Sequence, residues 1–328
     1  MNKTEIKNAC QTADSLLMIR PASCGYNPQT AASNAFQKPI EKLSAEEIRA
    51  RAVMEFDNLV EILRRRDINV FVVEDTPEPA KPDAVFPNNW ISFHPDGTVF
   101  LYPMLSEKRN AERRTDIIET LKQDFQIGRT VDLSDGENRI LEGTGSMVFD
   151  HPNRIVYACL SPRTDKILLE KFAPLIGYKP VIFVSTDEND AEIYHTNVVM
   201  CVGERLAVIC LGTIKNLAER KLVAESLAKT NHETIEISFA QMNRFAGNML
   251  EVRSRQNVNY LLMSASAHES LTEKQIDKIQ RHARILSANV ETIEAVGGGS
   301  VRCMLAEIFC KKKLNHAHNT KQHKGFLI

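Results

Sequence analysis

Gly297-Gly298-Gly299-Ser300-Val301-Arg302-Cys303-Met304, running on into Leu305-Ala306-Glu307-Ile308-Phe309, is the stretch on which the reading of this chain turns. Three consecutive glycines open the backbone to φ > 0 and to close approach by another group. They deliver one thiol at the start of the apolar run Met304–Phe309. A glycine turn, a thiol and then a strand is how a chain presents a nucleophile at the mouth of a sheet. An incidental Cys ahead of a buried strand fits the same residues, because free Cys is among the most buried side chains. The rest of the chain weighs between the two.

The final run has no helix after it. At the other end of the chain Leu16–Ile19 has a helix after it but no partner strand before it. Between these two, strand pairs recur around turn residues: Trp90–His94 with Val99–Leu101, Met147–Phe149 with Ile155–Ala158, Val198–Val202 with Leu206–Leu211, and Met249–Val252 with Tyr260–Met263. Helix starts are written in capping signals. Ser44-Ala45-Glu46-Glu47 opens a helix to about Arg66, Arg109 one to about Gln123, and Ser161-Pro162 one ending near Gly177. Asn216 caps Leu217–Thr230, and Thr272-Glu273-Lys274-Gln275 opens one to about Ala283. The starts are spaced by 65, 52, 55 and 56 residues. Five modules of this size, the fifth assembled from both chain ends, predict a pseudo-symmetric α/β propeller of five blades closed by its N- and C-terminal strands. An open α/β sheet alternates in a similar way and is the competing architecture.

Composition bounds the function. With 43% apolar residues in 328 the chain can fill a large core, and a net charge of −1 argues against nucleic acid as a partner. No run of 18 apolar residues occurs and Met1–Cys10 is polar, so a cytoplasmic protein off the membrane is expected. Seven cysteines without a CxxC pair support neither a zinc ribbon nor a dithiol motif. Cys159, Cys201 and Cys210 lie in apolar runs and read as strand core. Residues 1–313 are expected to form one catalytic domain. Residues 314–328, with His316, His318 and His323, read as a polar, solvated tail rather than a metal site. Oligomeric state is left open, a homo-oligomer included.

Asn89, Glu142, His195, Asn248 and Cys303 each stand at the entrance of a strand pair, spaced by 53, 53, 53 and 55 residues. In a ring these slots converge on the axis at one end. A thiol, an imidazole and a carboxylate in one slot have a chemical meaning: a nucleophile, a proton carrier and an electrostatic anchor.

These motifs resemble the guanidine-modifying pentein superfamily of arginine deiminases, dimethylarginine dimethylaminohydrolases and amidinotransferases. The resemblance rests on Pro82-Asp83-Ala84-Val85-Phe86, Leu141-Glu142-Gly143, Tyr194-His195-Thr196-Asn197, Gly247-Asn248-Met249-Leu250 and the Gly297–Met304 motif, and covers roughly Pro82 to Met304. It implies a five-bladed α/β ring with Cys303 as nucleophile, His195 as general acid/base and Glu142 as the carboxylate that binds the planar group's nitrogens. It implies no metal or organic cofactor, because the covalent intermediate divides the difficult step. The substrate-binding set it implies is Asp83, Asn89, Asn197, Asn248 and Arg109. Arg109 is either the anchor for a substrate carboxylate or a solvated helix-start residue. Pro21–Gln37 is a candidate lid.

Two positions depart from the family pattern. Asn197 stands where arginine deiminases and amidinotransferases carry Asp, and Asn88-Asn89 where dimethylarginine hydrolases carry acids. Amides suit a neutral ureido group, which offers a carbonyl acceptor as well as N–H donors. Carboxylates suit a guanidinium. Citrulline is therefore the expected substrate, cleaved to ornithine, ammonia and carbon dioxide. Arg20-Pro21-Ala22-Ser23 and Tyr26-Asn27-Pro28 resemble an amidinotransferase-like branch linked to citrulline use. The alternatives are an amidinotransferase, an arginine or dimethylarginine deiminase-type enzyme, and a non-catalytic pentein binding protein, such as the ring-shaped factors that bind ribosomal subunits.

Overall fold

The structure, a computed structural model, describes residues 10–134 and 136–313. The tail with its three histidines and most of the polar N-terminal stretch lie outside the described residues.

Among the described residues fifteen strands form five open, three-stranded sheets of one design. In chain order the strands are β1 Ser15–Arg20, β2 Asn69–Glu74, β3 Ile91–Phe93, β4 Thr98–Leu101, β5 Arg129–Asp132, β6 Val148–Asp150, β7 Ile155–Leu160, β8 Lys179–Val184, β9 Met200–Val202, β10 Leu206–Ile209, β11 Glu233–Glu236, β12 Leu250–Arg253, β13 Asn259–Ser264, β14 Arg284–Ala288 and β15 Ala306–Glu307. Within each sheet an antiparallel pair is extended by a third strand that returns parallel to the second after a helix, as in β3-β4-β5. The third strands were not anticipated. Most carry charge at a strand end and are half exposed, as Glu233-Thr234-Ile235-Glu236 is, so hydrophobic alternation marks them weakly.

The expected fifth unit forms from both ends. β15 pairs antiparallel with β1, Leu16 opposite Glu307 and Leu17 opposite Ala306, and β2 completes the sheet in parallel. The first strands of neighbouring sheets also meet, β15 with β3, β6 with β9 and β9 with β12, and Phe93 bridges to Ile308. Burial follows the pattern: Leu16, Leu17, Tyr157, Leu206 and Leu261 are fully buried.

The capping boxes at Ser44 and Thr272 form, and Asn216 caps its helix. Two helices differ from expectation. The one assigned to Ser161-Pro162 begins at Lys166, capped by Asp165, because Ser161 Oγ is donated to Tyr194 O and Arg163 is turned inward. The one expected from Arg109 is divided into Glu107–Asn110 and Thr115–Leu121, because Glu112 folds back onto Arg109. All seven cysteines are free, and Cys159, Cys201 and Cys210 are buried in or beside strands. No helix among the described residues is long and apolar enough to cross a membrane.

Candidate active site

Each slot residue sits on the turn before a first strand. Asn89 ends the 3-10 turn Pro87–Asn89 before β3. Glu142 precedes Gly143–Ser146 and β6, and His195 precedes Thr196–Val199 and β9. Asn248 stands two residues before β12, and Cys303 lies within the 3-10 turn Val301–Met304 before β15. Asp83, Asn89, Arg109, His195, Cys303 and Gly297–Gly299 line one pocket, together with Thr30, Asn34, Phe86, Arg163 and Tyr194. Thr30 and Asn34 belong to the segment read as a lid.

Cys303 Sγ is surrounded by amides. Asn248 Nδ2 donates to it at 3.3 Å and Asn197 Nδ2 at 3.4 Å. The orientation of Asn248 is fixed, because its Oδ1 accepts from Arg302 N–H at 3.2 Å while Nδ2 also reaches Asn197 O at 3.0 Å. Two amide donors are thus aimed at the sulfur, which also lies 3.7 Å from Asn248 Oδ1. Asn197 Oδ1, by contrast, is buried without a partner.

Glu142 is fully buried behind the pocket wall. Its Oε1 accepts from Leu105 N–H at 3.0 Å, and Oε2 accepts from His195 Nε2 at 2.9 Å and Arg163 Nη1 at 3.4 Å. Burial pushes its carboxyl up, but Arg163, His195 and Arg109 outweigh burial and hold it well below the ordinary carboxylate range. Burial drives His195 down to about 4 against the pull of Glu142, so the imidazole is neutral at pH 7. With Nε2–H committed to Glu142, the lone pair is left on Nδ1. Gly145 is required here: a Cβ would collide with Asn89 Nδ2 and come within 2.6 Å of His195 Cε1 and 2.7 Å of Nδ1.

Asp83 accepts from Asn27 Nδ2 at 2.7 Å and Thr30 Oγ1 at 3.4 Å, tying the 21–37 segment to the pocket floor. Burial raises its carboxyl despite Arg109 and Arg163. Arg109 is 2% exposed and so is no solvated residue. Its Nε and Nη2 grip Glu112 at 2.8–3.1 Å, and Nη1 donates to Asn89 Oδ1 at 2.9 Å. Burial pushes Glu112 up to about 7, but the two-nitrogen fork on both its oxygens keeps the pair ionic.

Arg163, Glu112 and Tyr194 were missed as site residues. Arg163 lies 4.9 Å over the Tyr194 ring and donates to Thr30 O and Ser33 Oγ. Tyr194 donates its hydroxyl to Gly298 O. The Arg109/Glu112 spacing of an i,i+3 pair was a usable signal. For Arg163 the Ser-Pro helix signature masked the role. Among the described residues no group of three or more His, Cys, Asp or Glu is placed to hold a metal ion.

The family model for N,N dimethylarginine dimethylhydrolase, eukaryotic, matches residues 20–310. The chain belongs to that family. It thereby falls within the pentein superfamily of guanidino-modifying enzymes and is a hydrolase of carbon–nitrogen bonds other than peptide bonds. No curated protein sequence matches it. Among solved structures it is similar to the N-terminal domain of ArgZ covalently bound to a reaction intermediate. The two are 16% identical over 90% of this chain and 97% of that one, with a TM-score of 0.70. Another ArgZ structure describes that protein as an arginine dihydrolase from the ornithine–ammonia cycle in Cyanobacteria. Unliganded AgrE is 19% identical over 90% of this chain and 39% of that one, with a TM-score of 0.70. A dimethylarginine dimethylaminohydrolase adduct with S-methyl-L-thiocitrulline is 14% identical over 90% of this chain and all of that one, with a TM-score of 0.63. At these identities the likeness is one of fold.

Proposed function

We propose that this chain is a Cys303-dependent hydrolase of the ureido or guanidino group of an arginine-related amino acid, with citrulline as substrate. Its five sheets would be the blades of one ring with the pocket on the axis, and residues 1–313 its single catalytic domain. The observation that carries the substrate reading is a complementary pair of buried atoms without partners, the donor Asn89 Nδ2 and the acceptor Asn197 Oδ1. A ureido group supplies a carbonyl oxygen for the first and N–H groups for the second. A guanidinium supplies donors only and leaves the Asn89 donor unpaired, which is costly in a buried site.

In this reading His195 Nδ1 takes the thiol proton and Cys303 Sγ attacks the ureido carbon, while Asn197 and Asn248 hold the sulfur's negative charge. The C–N bond to the terminal nitrogen breaks, and ammonia leaves with the proton returned by His195. The thiocarbamate Cys303–S–C(=O)–NH–R remains. Water, deprotonated by His195, attacks the same carbon and expels the thiolate, and the released carbamate falls to ornithine and carbon dioxide. Glu142 holds the imidazole. For it to meet the substrate's nitrogens as well, they must displace the long Arg163 contact.

The test is to incubate purified protein separately with citrulline, arginine and N,N-dimethylarginine and to identify products by mass. Ornithine from citrulline supports the reading. Citrulline accumulating from arginine or dimethylarginine, with citrulline itself untouched, replaces it with a deiminase-type activity. Ornithine from arginine without released citrulline points to a dihydrolase.

A further inference from the structure

Between the helix Glu291–Gly297 and the 3-10 turn Val301–Met304 that carries Cys303, the chain is Gly298-Gly299-Ser300, with Gly298 at a φ of 62°. The glycines are needed for close packing, since a Cβ on Gly297 would fall 2.6 Å from the Phe86 ring and one on Gly299 3.1 Å from it. They also leave the chain free to swing, because glycine restricts its own backbone least. One side chain spans them. Ser300 Oγ donates to Glu294 Oε1 at 2.5 Å, Gly298 N–H donates to Glu294 O at 2.9 Å, and Cys303 N–H donates to Ser300 O at 2.9 Å. Glu294 therefore holds the segment at both ends, by its backbone before Gly299 and by its carboxyl after it. Glu294 is buried and Ser300 fully so, and neither lines the pocket of His195 and Cys303. Burial pushes the Glu294 carboxyl up to about 7; the hydroxyls of Ser300 and Ser264 oppose this, and Glu55 and Glu291 add to it. An apolar side chain would spare the cost of burying a carboxyl beside two other acids, so the acid marks a place where its acceptor is used.

We propose that Glu294 is a positioning residue for the nucleophile: by holding Ser300 across the glycines it fixes the turn on which Cys303 stands. The proposal rests on Cys303 as nucleophile and is independent of which head group is cleaved. The far side of the turn is held separately, where Asn248 Oδ1 accepts from Arg302 N–H at 3.2 Å. With one anchor on each side, Sγ stays within 3.3–3.4 Å of the Asn248 and Asn197 amide nitrogens. Freed at the glycines, the turn can drift, and a displacement of about 1 Å at a reacting atom can cost about a hundredfold in rate. Glu294 acts as an acceptor and not as a charge, because a neutral carboxyl still offers its carbonyl oxygen to the Ser300 hydroxyl.

The test is kcat and KM for wild type, Glu294→Ala, Ser300→Ala, the double variant and Glu294→Gln, on whichever of citrulline, arginine and N,N-dimethylarginine the wild type turns over. Each alanine variant lowers kcat about tenfold, the worth of one buried hydrogen bond. KM moves less than about threefold, since neither side chain lines the pocket. The double variant falls no further than Ser300→Ala alone. Glu294→Gln recovers kcat to within about threefold of wild type, because its Oε1 still accepts from Ser300. Independent factors in the double variant, unchanged kcat in Ser300→Ala, or a Gln variant as slow as the Ala one reduce Glu294 to scaffolding and overturn the proposal. Wild type inert toward all three compounds, or Cys303→Ser as active as wild type, overturns the nucleophile reading and the proposal with it, and this is visible before any Glu294 variant is made. If Glu294→Ala does not hold its fold by circular dichroism, Ser300→Ala and Glu294→Gln decide the matter. A slow Ser300→Ala beside a fast Glu294→Gln supports the proposal, and any other combination overturns it.

Discussion

Cys303 and His195 divide the chemistry, and each makes a separate prediction. Cys303→Ser keeps the shape, and its hydroxyl still meets Asn197 and Asn248, but it is far less acidic and a weaker nucleophile. Turnover is expected to fall at least about a hundredfold with an unchanged circular dichroism spectrum. A variant holding more than about a tenth of wild-type rate removes Cys303 from the nucleophile role. For His195 the sign follows from burial. Its protonation is depressed to about 4, so the neutral, proton-accepting form persists from alkaline pH down through pH 5 and is lost only as pH falls through about 4. An unperturbed imidazole would lose it near 6.5. The acid limb of kcat/KM that depends on His195 should accordingly lie near pH 4 to 5. A limb at 6.5 that disappears in His195→Asn would show an exposed, ordinary imidazole.

At the scale of elements, the helix Glu291–Gly297 delivers the glycine turn and Cys303; its N-cap residue Val290 has no capping side chain, and locally only Asn289 Oδ1 accepts from Glu291 N–H, at 3.0 Å. Glu55, from the helix Ala45–Arg64, supplies the cap across the core, accepting from Thr292 N–H at 2.9 Å and Ile293 N–H at 3.0 Å. Glu55→Ala should cost about 1–2 kcal/mol in urea unfolding, the usual worth of a lost cap. It should also lower kcat, since the turn Gly297–Gly299 then loses its fixed origin. A variant of unchanged stability would show that water replaces the carboxylate. Glu55 was beyond sequence reading because its partners are more than 200 residues away. Caps written locally, at Ser44, Asn216 and Thr272, were legible. So were the strand pairs, whose alternation is strong where one face is buried. The third strands and the late start of the helix Lys166–Leu175 were not, because exposed edges weaken alternation and Ser161 and Arg163 serve the pocket instead of a helix cap.

At the scale of the whole molecule the legible signal was periodicity. A polar residue recurs on the turn before each first strand, because five sheets of one design place that turn at the same point. That is why Asn89, Glu142, His195, Asn248 and Cys303 could be named from spacing alone. What spacing could not give was direction: that Glu142 stands behind His195, that Asn248 and Asn197 serve the sulfur, and that Arg109 is turned onto Asn89. Those depend on which donors find which acceptors once the turns converge. The pairing of β15 with β1 has a consequence that can be measured. If the N- and C-terminal strands do no more than complete a sheet like the other four, the position of the chain ends is arbitrary. A circular permutant can join Lys313 to Cys10 through a Gly/Ser linker of about ten residues and open the chain between Gln256 and Asn257. That exposed turn links β12 to β13, and exposed loop tips are where new ends are tolerated. The permutant keeps every strand pair and loses only the covalent link across that turn. It is expected to fold with a melting temperature within a few degrees of wild type and to keep Cys303-dependent turnover. A permutant that folds but loses turnover would mean that the chain ends themselves hold Cys303 in place. One that fails to fold, while a second permutant opened between Glu188 and Asn189 in another exposed turn also fails, would mean that the fifth sheet must form with free ends and is not equivalent to the rest.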